Sequence, residues 1–385
     1  MHWITTAFSA FSLTGWLVPM LQVKWANWIP RYLNEEPFDP DAPMPTLSII
    51  VPALNEAETI EPALRSLIAV DYPNVEIIVV DDRSTDDTGK ILDRMALEFP
   101  HIVPIHVTEL PPGWLGKNHA LHIGSEKATG EYILFTDADV HLDPSCLKRA
   151  IQLVQRRSLD HFVLFPEMIL HGFWETATVW FFGVIFTIKF RPWKVSDPDD
   201  PAYMGVGAFN LVRAEAYRSF GGHTAFPLDI TDDMRLGKEV KRARLRSDVY
   251  MSGGMVRVRW VVGLKGIVHG LTKNAFAGMD YSIPKTVFAT LILFPFAVWP
   301  MFGILLPGNF SRAMSALTLA IMVYAASKGK PKPGASALYG LTFPLSGLVV
   351  MWIMIRSTFI TLKNDGVNWR GTHYPLSELR GGLKK

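Results

Sequence analysis

Short apolar runs alternate with longer amphipathic stretches between residues 46 and 160. Apolar runs of this length, rich in β-branched and aromatic residues, are typical of buried strands, and the stretches between them have helical character. Strands separated by helices predict a mostly parallel sheet with right-handed crossovers and flanking helices, which is an α/β fold. The predicted strands are Leu47–Val51, Glu76–Val80, Ile102–Val107 and Tyr132–Thr136.

Acidic residues directly follow two of the predicted strands. Asp81 and Asp82 follow the second strand, and the last strand runs straight into Asp137 and Asp139. Ligands bind at the carboxyl edge of open α/β sheets, and paired carboxylates there suit Mg²⁺ or Mn²⁺ holding a diphosphate. The alternative is a polar loop after the strand, with Asp143 capping the following helix.

Polar residues also mark the predicted starts of the next helices. Asn55 with Glu58, and Ser84 with Asp87, have the spacing of capping boxes. Helix N-termini present free N–H groups that favour phosphate, so the pattern predicts a nucleotide-binding half-domain. The sequence lacks a Gly-x-Gly-x-x-Gly pattern after the first strand and a Walker Gly-Lys-Ser/Thr motif. A dinucleotide dehydrogenase and a P-loop NTPase are therefore disfavoured.

The hydrophobic pattern changes after residue 160. Tyr203–Val212 is predicted to be a strand, and Ala214–Phe220 a short helix stopped by two glycines. Asp232 and Asp233 open a further helix. Phe173–Phe190 is aromatic and nearly uncharged but short for a bilayer, which favours an interfacial helix lying on a membrane. A buried core helix is the alternative.

Four uncharged runs are candidates for bilayer spans. The third run is short, so Arg312 and Lys328 would have to extend to the interface. Lys24 and Arg31 follow the first run, which favours a cytoplasmic location for the downstream chain. The runs are Ile4–Val23, Val287–Leu306, Ala313–Ser327 and Ala335–Ile355.

The sequence does not determine on which side of the membrane each C-terminal run begins and ends. The loop Lys328–Lys332 and the tail after Arg356 are both basic, yet three full spans would place them on opposite sides. A re-entrant segment at Phe294–Leu306 would remove this conflict.

Charge and cysteine content narrow the class of protein. The 385 residues carry a net charge of +2, which argues against nucleic-acid binding. The single cysteine, Cys146, excludes an internal disulfide and is typical of a reducing compartment.

Five motifs occur in the order found in family 2 glycosyltransferases of the GT-A fold, which the segment from Thr46 to about Trp260 resembles. Trp114–Asn118, the tail Asn368–Tyr374 and the membrane layout are similar to the lipid-directed branch, with its ceramide glucosyltransferases and carotenoid- or hopanoid-associated enzymes. The motifs are Pro52-Ala53-Leu54-Asn55-Glu56, Asp81-Asp82-Arg83-Ser84-Thr85-Asp86, Gly116-Lys117-Asn118, Asp137-Ala138-Asp139 and Thr231-Asp232-Asp233.

The resemblance implies a role for each matched position. Asp139 would be the principal metal ligand, Asp137 would face the ribose or the metal, and Asp233 would be the catalytic base. Lys117 would approach the diphosphate, and Asp82 would contact the uracil base. The implied donor-binding positions are Pro52, Ala53, Leu54, Glu56, Asp82, Ser84, Lys117 and Asp137.

Two positions depart from the family pattern. Val256 stands where the Gln-x-x-Arg-Trp motif has glutamine, which weakens the case for processive polymer synthesis. Asp232 replaces a glutamate. Arg259 and Trp260 match the motif, and the resemblance assigns them, with Asp232, to the acceptor or the diphosphate.

The implied activity is inverting, Mg²⁺- or Mn²⁺-assisted transfer of a hexose, with glucose expected, from a UDP-sugar to a lipid hydroxyl. The alternatives are a polysaccharide synthase and a non-catalytic membrane scaffold. We expect a multi-pass plasma-membrane protein with a cytoplasmic catalytic domain and neither a nucleic-acid nor a protein partner. The expected layout is an anchor at 1–30, a linker at 31–45, a GT-A domain at 46–275 with the interfacial helix near 173–190, a transmembrane cluster at 276–362 and a basic tail at 363–385.

Overall fold

The computed structural model describes residues 2–25, 30–328 and 336–382, so the basic loop predicted at 329–332 lies outside the described residues. The strands, in chain order, are β1 (Leu47–Ala53), β2 (Val75–Asp82), β3 (Ile102–Val107), β4 (Tyr132–Phe135), β5 (Val140–Leu142), β6 (His161–Phe165), β7 (Glu167–Met168), β8 (Asn210–Arg213), β9 (Ser247–Met251), β10 (Val256–Val258), β11 (Gly366–Trp369) and β12 (Thr372–Pro375).

The helices range in length from 5 residues in α11 to 24 residues in α1. In chain order they are α1 (His2–Trp25), α2 (Ile60–Ile68), α3 (Thr88–Glu98), α4 (Gly116–Lys127), α5 (Cys146–Arg157), α6 (Phe173–Phe190), α7 (Ala214–Ser219), α8 (Asp232–Arg242), α9 (Gly263–Ala277), α10 (Ile283–Leu293), α11 (Trp299–Gly303), α12 (Asn309–Lys328), α13 (Ser336–Leu341), α14 (Phe343–Lys363) and α15 (Leu376–Gly382).

The strands form a seven-stranded, mostly parallel sheet in the order β3-β2-β1-β4-β8-β6-β9. β1 lies parallel to β2 and β4, β2 lies parallel to β3, and β6 lies parallel to β9. Only β8 runs antiparallel to its neighbours among these pairings, against β4 and β6. The predicted α/β fold class is confirmed. A smaller sheet joins β5, β10 and β7.

The predicted strand at Tyr203–Val212 was wrong over most of its length. The strand covers only Asn210–Arg213, and the residues before it are irregular. Gly205 and Gly207 explain the difference, because their backbone passes directly against polar groups of the site described below. A glycine in a strand pattern often marks such a close approach.

Alternate residues of the central strands face two different cores. Ile49 and Val51 of β1 belong to one hydrophobic cluster, and Ile50 belongs to another on the opposite face. Both faces are therefore covered, which is why these strands carry almost no charge. Cys146 is fully buried in the first cluster, and burial raises the pKa of its thiol.

Among the described residues, four helical segments are long and apolar enough to cross a membrane. Their number and character indicate a membrane protein. The candidates are Trp3–Lys24, Ile283–Gly303, Asn309–Ser327 and Phe343–Lys363.

Three of these segments begin at least four residues from the predicted start, and the second begins at Ile283 rather than at residue 287. The third begins at Asn309 rather than at residue 313, so it is longer than expected. The fourth was predicted at 335–355, but the helix is interrupted after Leu341 and resumes at Phe343. Pro344 lies in the first turn of α14, where its missing N–H costs no hydrogen bond.

A π-helical turn at Phe294–Val298 joins α10 to α11. Pro295 lies within it, and the carbonyl oxygen of Phe296 accepts hydrogen bonds from Trp16 Nε1 at 2.9 Å and Ser12 Oγ at 3.3 Å. Side chains of α1 thereby satisfy a backbone carbonyl within an apolar segment, which a segment inside a bilayer requires.

The chain divides into two compact units, each built from separate stretches of sequence. The apolar unit comprises Met1–Trp28, Leu170–Trp193 and Val261–Trp369. The sheet-containing unit comprises Ile29–Ile169, Lys194–Trp260 and Arg370–Lys385. The predicted interfacial helix, α6, falls in the apolar unit.

Candidate active site

A small pocket opens at the carboxyl edge of the central sheet, between the first turns of α4 and α8. Several residues singled out in the sequence meet here, together with others that were not. The pocket is lined by Pro52, Lys117, Leu121, Phe135, Thr136, Asp137, Gly207, Asn210, His223, Asp232, Asp233 and Leu236.

Lys117 is the cation at the centre of this pocket. Its Nζ lies 2.8 Å from Oδ1 of Asp137 and 3.1 Å from Oδ2 of Asp232. Burial alone lowers the pKa of Lys117, but the carboxylates of Asp137, Asp232 and Asp233 raise it above its usual value. Lys117 is therefore a fixed positive charge that holds two acids from different elements.

Asp233 is held by two backbone N–H groups. Its Oδ2 accepts from Gly207 N at 3.0 Å, and its Oδ1 accepts from Met234 N at 2.7 Å. Burial, followed by the negative charge of Asp232, raises the pKa of Asp233 to about 7, although Lys117 opposes the shift. A carboxylate has lone pairs beyond the two used here, so Asp233 can still accept a proton.

Asn118 explains why α4 and α8 begin side by side. Its fully buried amide donates to the carbonyl oxygens of Phe226, Pro227 and Asp229, at 3.0 to 3.2 Å. These carbonyls belong to the loop that leads into α8. The residue after Lys117 thus fixes the loop that delivers Asp232 and Asp233.

The segment before β8 passes unusually close to Asp137 and Asp233. A Cβ on Gly207 would lie 2.5 Å from Oδ2 of Asp137, and a Cβ on Gly205 would lie 1.7 Å from the carbonyl oxygen of Asp233. Both distances are below van der Waals contact. Only glycine lets the backbone reach the carboxylates, which is how the Gly207 N–H comes to bind Asp233.

We expect Gly205→Ala to displace the first turn of α8 and to lower the free energy of unfolding by at least about 2 kcal/mol. Thermal unfolding in detergent should show the loss. Gly183→Ala is the matched control, since a Cβ there meets nothing within 4 Å. Equal melting temperatures for the two variants would contradict the close packing argued here.

Asp139 lies near two other carboxylates, those of Asp137 and Glu56. Burial, then Asp137 and Glu56, raise the pKa of its carboxyl to about 6. Among the described residues no group of three or more His, Cys, Asp or Glu side chains is arranged to hold a metal alone. Mg²⁺ and Mn²⁺ sites in phosphate chemistry use one or two carboxylates and complete the shell with phosphate oxygens and water. Asp139 with Asp137 fits that kind of site.

The predicted capping boxes at Asn55 and Ser84 were wrong, because the two loops bind each other instead. Oδ1 of Asn55 accepts from Thr85 N at 2.8 Å, and Ser84 Oγ accepts from Asn55 N at 2.9 Å. Glu56 N donates to Thr88 Oγ1 at 2.8 Å. The polar residues after β1 and β2 therefore form one cross-linked surface at the edge of the sheet.

Asp82 is nearly inaccessible and forms an ion pair with its neighbour Arg83. The Nε atom of Arg83 lies 2.7 Å from Oδ1 of Asp82. This hydrogen bond is the main cause that raises the pKa of Arg83. Asp82 thus lies at the end of β2, as the sequence indicated, but its carboxylate already has a partner.

Eight of the sequence-derived candidates lie outside the residues that line the pocket: Ala53, Leu54, Glu56, Asp82, Ser84, Asp139, Arg259 and Trp260. Arg259 follows β10 and donates from a guanidinium nitrogen to the carbonyl oxygen of Ile169 at 2.5 Å. Trp260 packs, partly buried, against the main hydrophobic cluster. Pro52 lines the pocket, and Ala53 lies buried beside it at the end of β1.

Asn210 and His223 were not singled out from the sequence, yet both line the pocket. Asn210 Nδ2 donates to the Asp233 carbonyl at 3.2 Å, and its Oδ1 lies 2.5 Å from Nε2 of the buried His161. Asn210 begins β8, the one reversed strand of the central sheet. No local signal identifies it, because its partners are distant in sequence.

The hydrogen bonds around His223 assign its tautomer. Ser125 Oγ donates to the His122 carbonyl, and Tyr217 Oη donates to Ser125 Oγ. Tyr217 Oη therefore accepts from Nδ1–H of His223, at 2.6 Å. Burial and the nearby Lys117 lower the pKa of His223 to about 3, so the ring is neutral and Nε2 remains an acceptor.

The sheet, the acids at its carboxyl edge and the buried lysine define a nucleotide-sugar-dependent glycosyltransferase of the GT-A fold. Residues 48–220 match the family Glycosyl transferase family 2.

Sequence comparison finds similar proteins over most of the chain. A 4,4′-diaponeurosporenoate glycosyltransferase of Staphylococcus aureus (strain USA300) is 26% identical over 339 residues, covering 86% of this chain and 89% of that protein. The same enzyme from the bovine strain RF122 / ET3-1 is 25% identical over 341 residues.

Structure comparison finds the mannosyltransferase PcManGT from Pyrobaculum calidifontis, solved in complex with GDP-Man and Mn²⁺. The likeness has a TM-score of 0.54 at 21% identity and covers 94% of this chain and 98% of that chain. At this identity the likeness establishes the fold alone.

Proposed function

We propose that this protein transfers a hexose from a UDP-sugar to a hydroxyl group of an apolar lipid, with inversion at the anomeric carbon. One observation carries the proposal. A buried lysine and an acid whose pKa is raised by burial share a pocket at the sheet edge that binds ligands in this class of fold.

Asp233 is the candidate base. A hydroxyl is a weak nucleophile until its proton is removed, and a carboxylate with a pKa near the operating pH is well suited to do so. The N–H groups of Gly207 and Met234 hold both carboxylate oxygens in place. With a single base and no assigned enzyme nucleophile, the displacement occurs in one step and inverts the sugar carbon.

Lys117 serves the opposite end of the reaction. The leaving group is a nucleoside diphosphate, so negative charge grows on its phosphates as the sugar bond breaks. Lys117 is buried, fully charged and fixed by Asp137 and Asp232, so it stabilises this charge without reorganising. Asp139 with Asp137 would hold a divalent cation, which supplies further charge neutralisation at the diphosphate.

The apolar unit fits a lipid acceptor. Four candidate membrane spans occur in the same chain as a nucleotide-binding fold, as expected of an enzyme whose acceptor is dissolved in the bilayer. The basic residues Lys24 and Arg31 after the first span favour a cytoplasmic catalytic domain in the plasma membrane. Arg259 and Trp260 remain candidates for acceptor contacts.

A carboxylate acceptor is the second candidate. The relative from Staphylococcus aureus is named for 4,4′-diaponeurosporenoate, an apolar carboxylate. Such an acceptor is already ionised at neutral pH and has little need of Asp233. A polysaccharide synthase is less favoured because Val256 replaces the motif glutamine.

The test uses purified full-length protein in lipid nanodiscs with radiolabelled UDP-glucose, UDP-galactose or GDP-mannose. A polyene alcohol and a polyene carboxylic acid serve as acceptors. We expect lipid-soluble product from a UDP-sugar and the alcohol, and a fall of about a hundredfold or more when chelation removes divalent cations. Restoring Mn²⁺ or Mg²⁺ should restore the rate.

Three outcomes would contradict this assignment. Transfer that persists undiminished after chelation excludes the metal. A ladder of product lengths identifies a polymer synthase. The absence of both transfer and thermal stabilisation by any UDP-sugar with Mn²⁺ favours a scaffold.

A further inference from the structure

The last described segment of the chain, Arg370–Gly382, belongs to the sheet-containing unit although the preceding stretch, Val261–Trp369, does not. It consists of β12 and α15 and the turn before them. The segment contacts residues of three loops that the sequence assigned to the sugar-nucleotide donor. The proposed chemistry assigns no role to these contacts.

Tyr374 contacts the start of α4. Its hydroxyl, nearly inaccessible, accepts the backbone N–H of Gly116 at 3.0 Å. Gly116 has no room for a side chain, because a Cβ there would lie 2.2 Å from Oδ2 of Asp82. Tyr374 is thus packed beside Asp82 and holds the residue that precedes Lys117.

Arg370 contacts the loop after β1. A guanidinium nitrogen lies 3.0 Å from Oε1 of Glu56, and both side chains are partly accessible to solvent. Arg370 and Gly371 both have positive φ, +48° and +79°, so a tight turn fixes the direction of the arginine. Glu56 in turn is near enough to Asp139 to raise the pKa of that carboxyl.

Thr372 adds a third contact, since its Oγ1 lies 3.4 Å from a guanidinium nitrogen of Arg83. Arg83 is the partner of Asp82. The segment therefore contacts the loops after β1 and β2 and the first turn of α4. A bound nucleotide diphosphate would lie over the same three elements.

The donor site needs a further cation to bind a diphosphate. Acids predominate around the site, and Lys117 is already paired with Asp137 and Asp232. A diphosphate is an anion that binds best where cations offset these acids. A guanidinium presents a planar fork of N–H donors that matches phosphate oxygens, and an exposed ion pair exchanges partners at little cost.

We propose that the C-terminal segment forms one wall of the donor site, in which Arg370 exchanges Glu56 for the diphosphate of a bound UDP-sugar and Tyr374 positions Lys117. This inference rests on the proposed function. It assigns Arg370 to ligand contact and Tyr374 to a positioning role through the N–H of Gly116.

The experiment measures binding of UDP, UMP and uridine, each with Mn²⁺, to full-length protein by calorimetry. Arg370→Ala should weaken UDP binding by about tenfold or more and leave uridine binding unchanged, because only the phosphates contact the guanidinium. Arg370→Lys should recover part of the loss. Arg94→Ala is the matched control, since Arg94 forms an exposed pair with Glu61 on the neighbouring helices.

A double variant separates direct contact from mere neutralisation of Glu56. Arg370→Ala/Glu56→Gln removes the unpaired carboxylate together with the cation. If Arg370 contacts the diphosphate, UDP binding stays weak in this variant. Full recovery would overturn the exchange and leave Arg370 as a screen for Glu56.

Tyr374→Phe removes the hydroxyl that accepts the Gly116 N–H and that also interacts with Arg83. We expect KM for the donor to rise by about three- to tenfold with kcat and KM for the acceptor unchanged. A purely structural tyrosine would instead lower the melting temperature and the active fraction without altering KM.

The controls distinguish failure of this inference from failure of the proposed function. Folded Arg370→Ala and Tyr374→Phe that bind UDP within about twofold of the unaltered protein overturn the inference alone. An unaltered protein that binds no UDP or UDP-sugar with Mn²⁺ overturns the proposed function and the inference with it.

Discussion

Asp233→Asn is expected to slow transfer to a hydroxyl acceptor by about 10²–10⁴-fold, the usual contribution of a general base, while UDP binding changes by less than about threefold. The amide cannot take up the acceptor proton. It also offers one acceptor to the N–H groups of Gly207 and Met234, which costs about 1–3 kcal/mol of unfolding free energy. Melting curves therefore accompany the rate measurements.

Asp87→Asn is the control for this substitution, since Asp87 also lies at the N-terminal end of a helix but is largely exposed and pairs only with Lys90 among the described contacts. Its rate should equal that of the unaltered protein. Undiminished transfer by Asp233→Asn would contradict the assignment of Asp233 as the base. With a carboxylate acceptor the same substitution should have little effect, which separates the two acceptor classes.

The pH profile follows from the same residue. The pKa of Asp233 is raised to about 7, so the carboxyl is protonated, and unable to act as a base, as the pH falls through that value. We expect kcat/KM to decline on the acid side of about pH 7 and to level off above it. Lys117 lowers this pKa, so its removal should move the decline to higher pH.

Lys117→Met is expected to weaken UDP binding by about a hundredfold and to cost about 3 kcal/mol of unfolding free energy, because it leaves neighbouring acids without their cation. Asp232 is buried, whereas Asp137 is partly exposed and water screens part of its charge. Calorimetry with UDP and thermal unfolding measure the two effects.

Lys148→Met provides the comparison, because Lys148 is equally covered and pairs with Asp71 away from the site. The double variant Lys117→Met/Asp137→Asn should regain stability without regaining UDP affinity. If Lys117→Met binds UDP as tightly as the Lys148 variant does, the lysine has no part in holding the diphosphate.

The sequence predicted those parts of the fold that depend on local pattern. The strands from Leu47 to Thr136 were placed within a few residues because burial on both faces requires uninterrupted apolar side chains. Asp137 was identified because it follows a predicted strand, and Asp233 because it opens a helix within the Thr231-Asp232-Asp233 motif that resembles the family pattern. Asp137 lies at the carboxyl edge because it follows a parallel strand, whereas Asp233 is brought there by the loop that Asn118 holds.

What the sequence could not supply are contacts between distant segments. Asn55 and Ser84 have the spacing of helix caps, yet they bind each other, and a spacing rule cannot see a neighbouring loop. Gly205 looked like part of a strand because apolar residues surround it. The reason for the glycine, the Asp233 carbonyl, lies on a helix that comes later in the chain.

The same limit applies to the C-terminal segment. Tyr374 was noted only as part of a familiar tail, whereas its partner Gly116 lies more than half the chain away. Periodicity and composition describe a residue's immediate surroundings. They contain no information about which distant backbone group a hydroxyl will meet.

Cys146, the one thiol of the chain, is sealed in the hydrophobic core with its pKa raised by burial, so maleimides and other thiol reagents have no route to it. The natural sequence is therefore already a suitable background for spectroscopy. A single cysteine introduced at Thr372 or at Lys90 would carry a spin label or fluorophore without prior removal of Cys146.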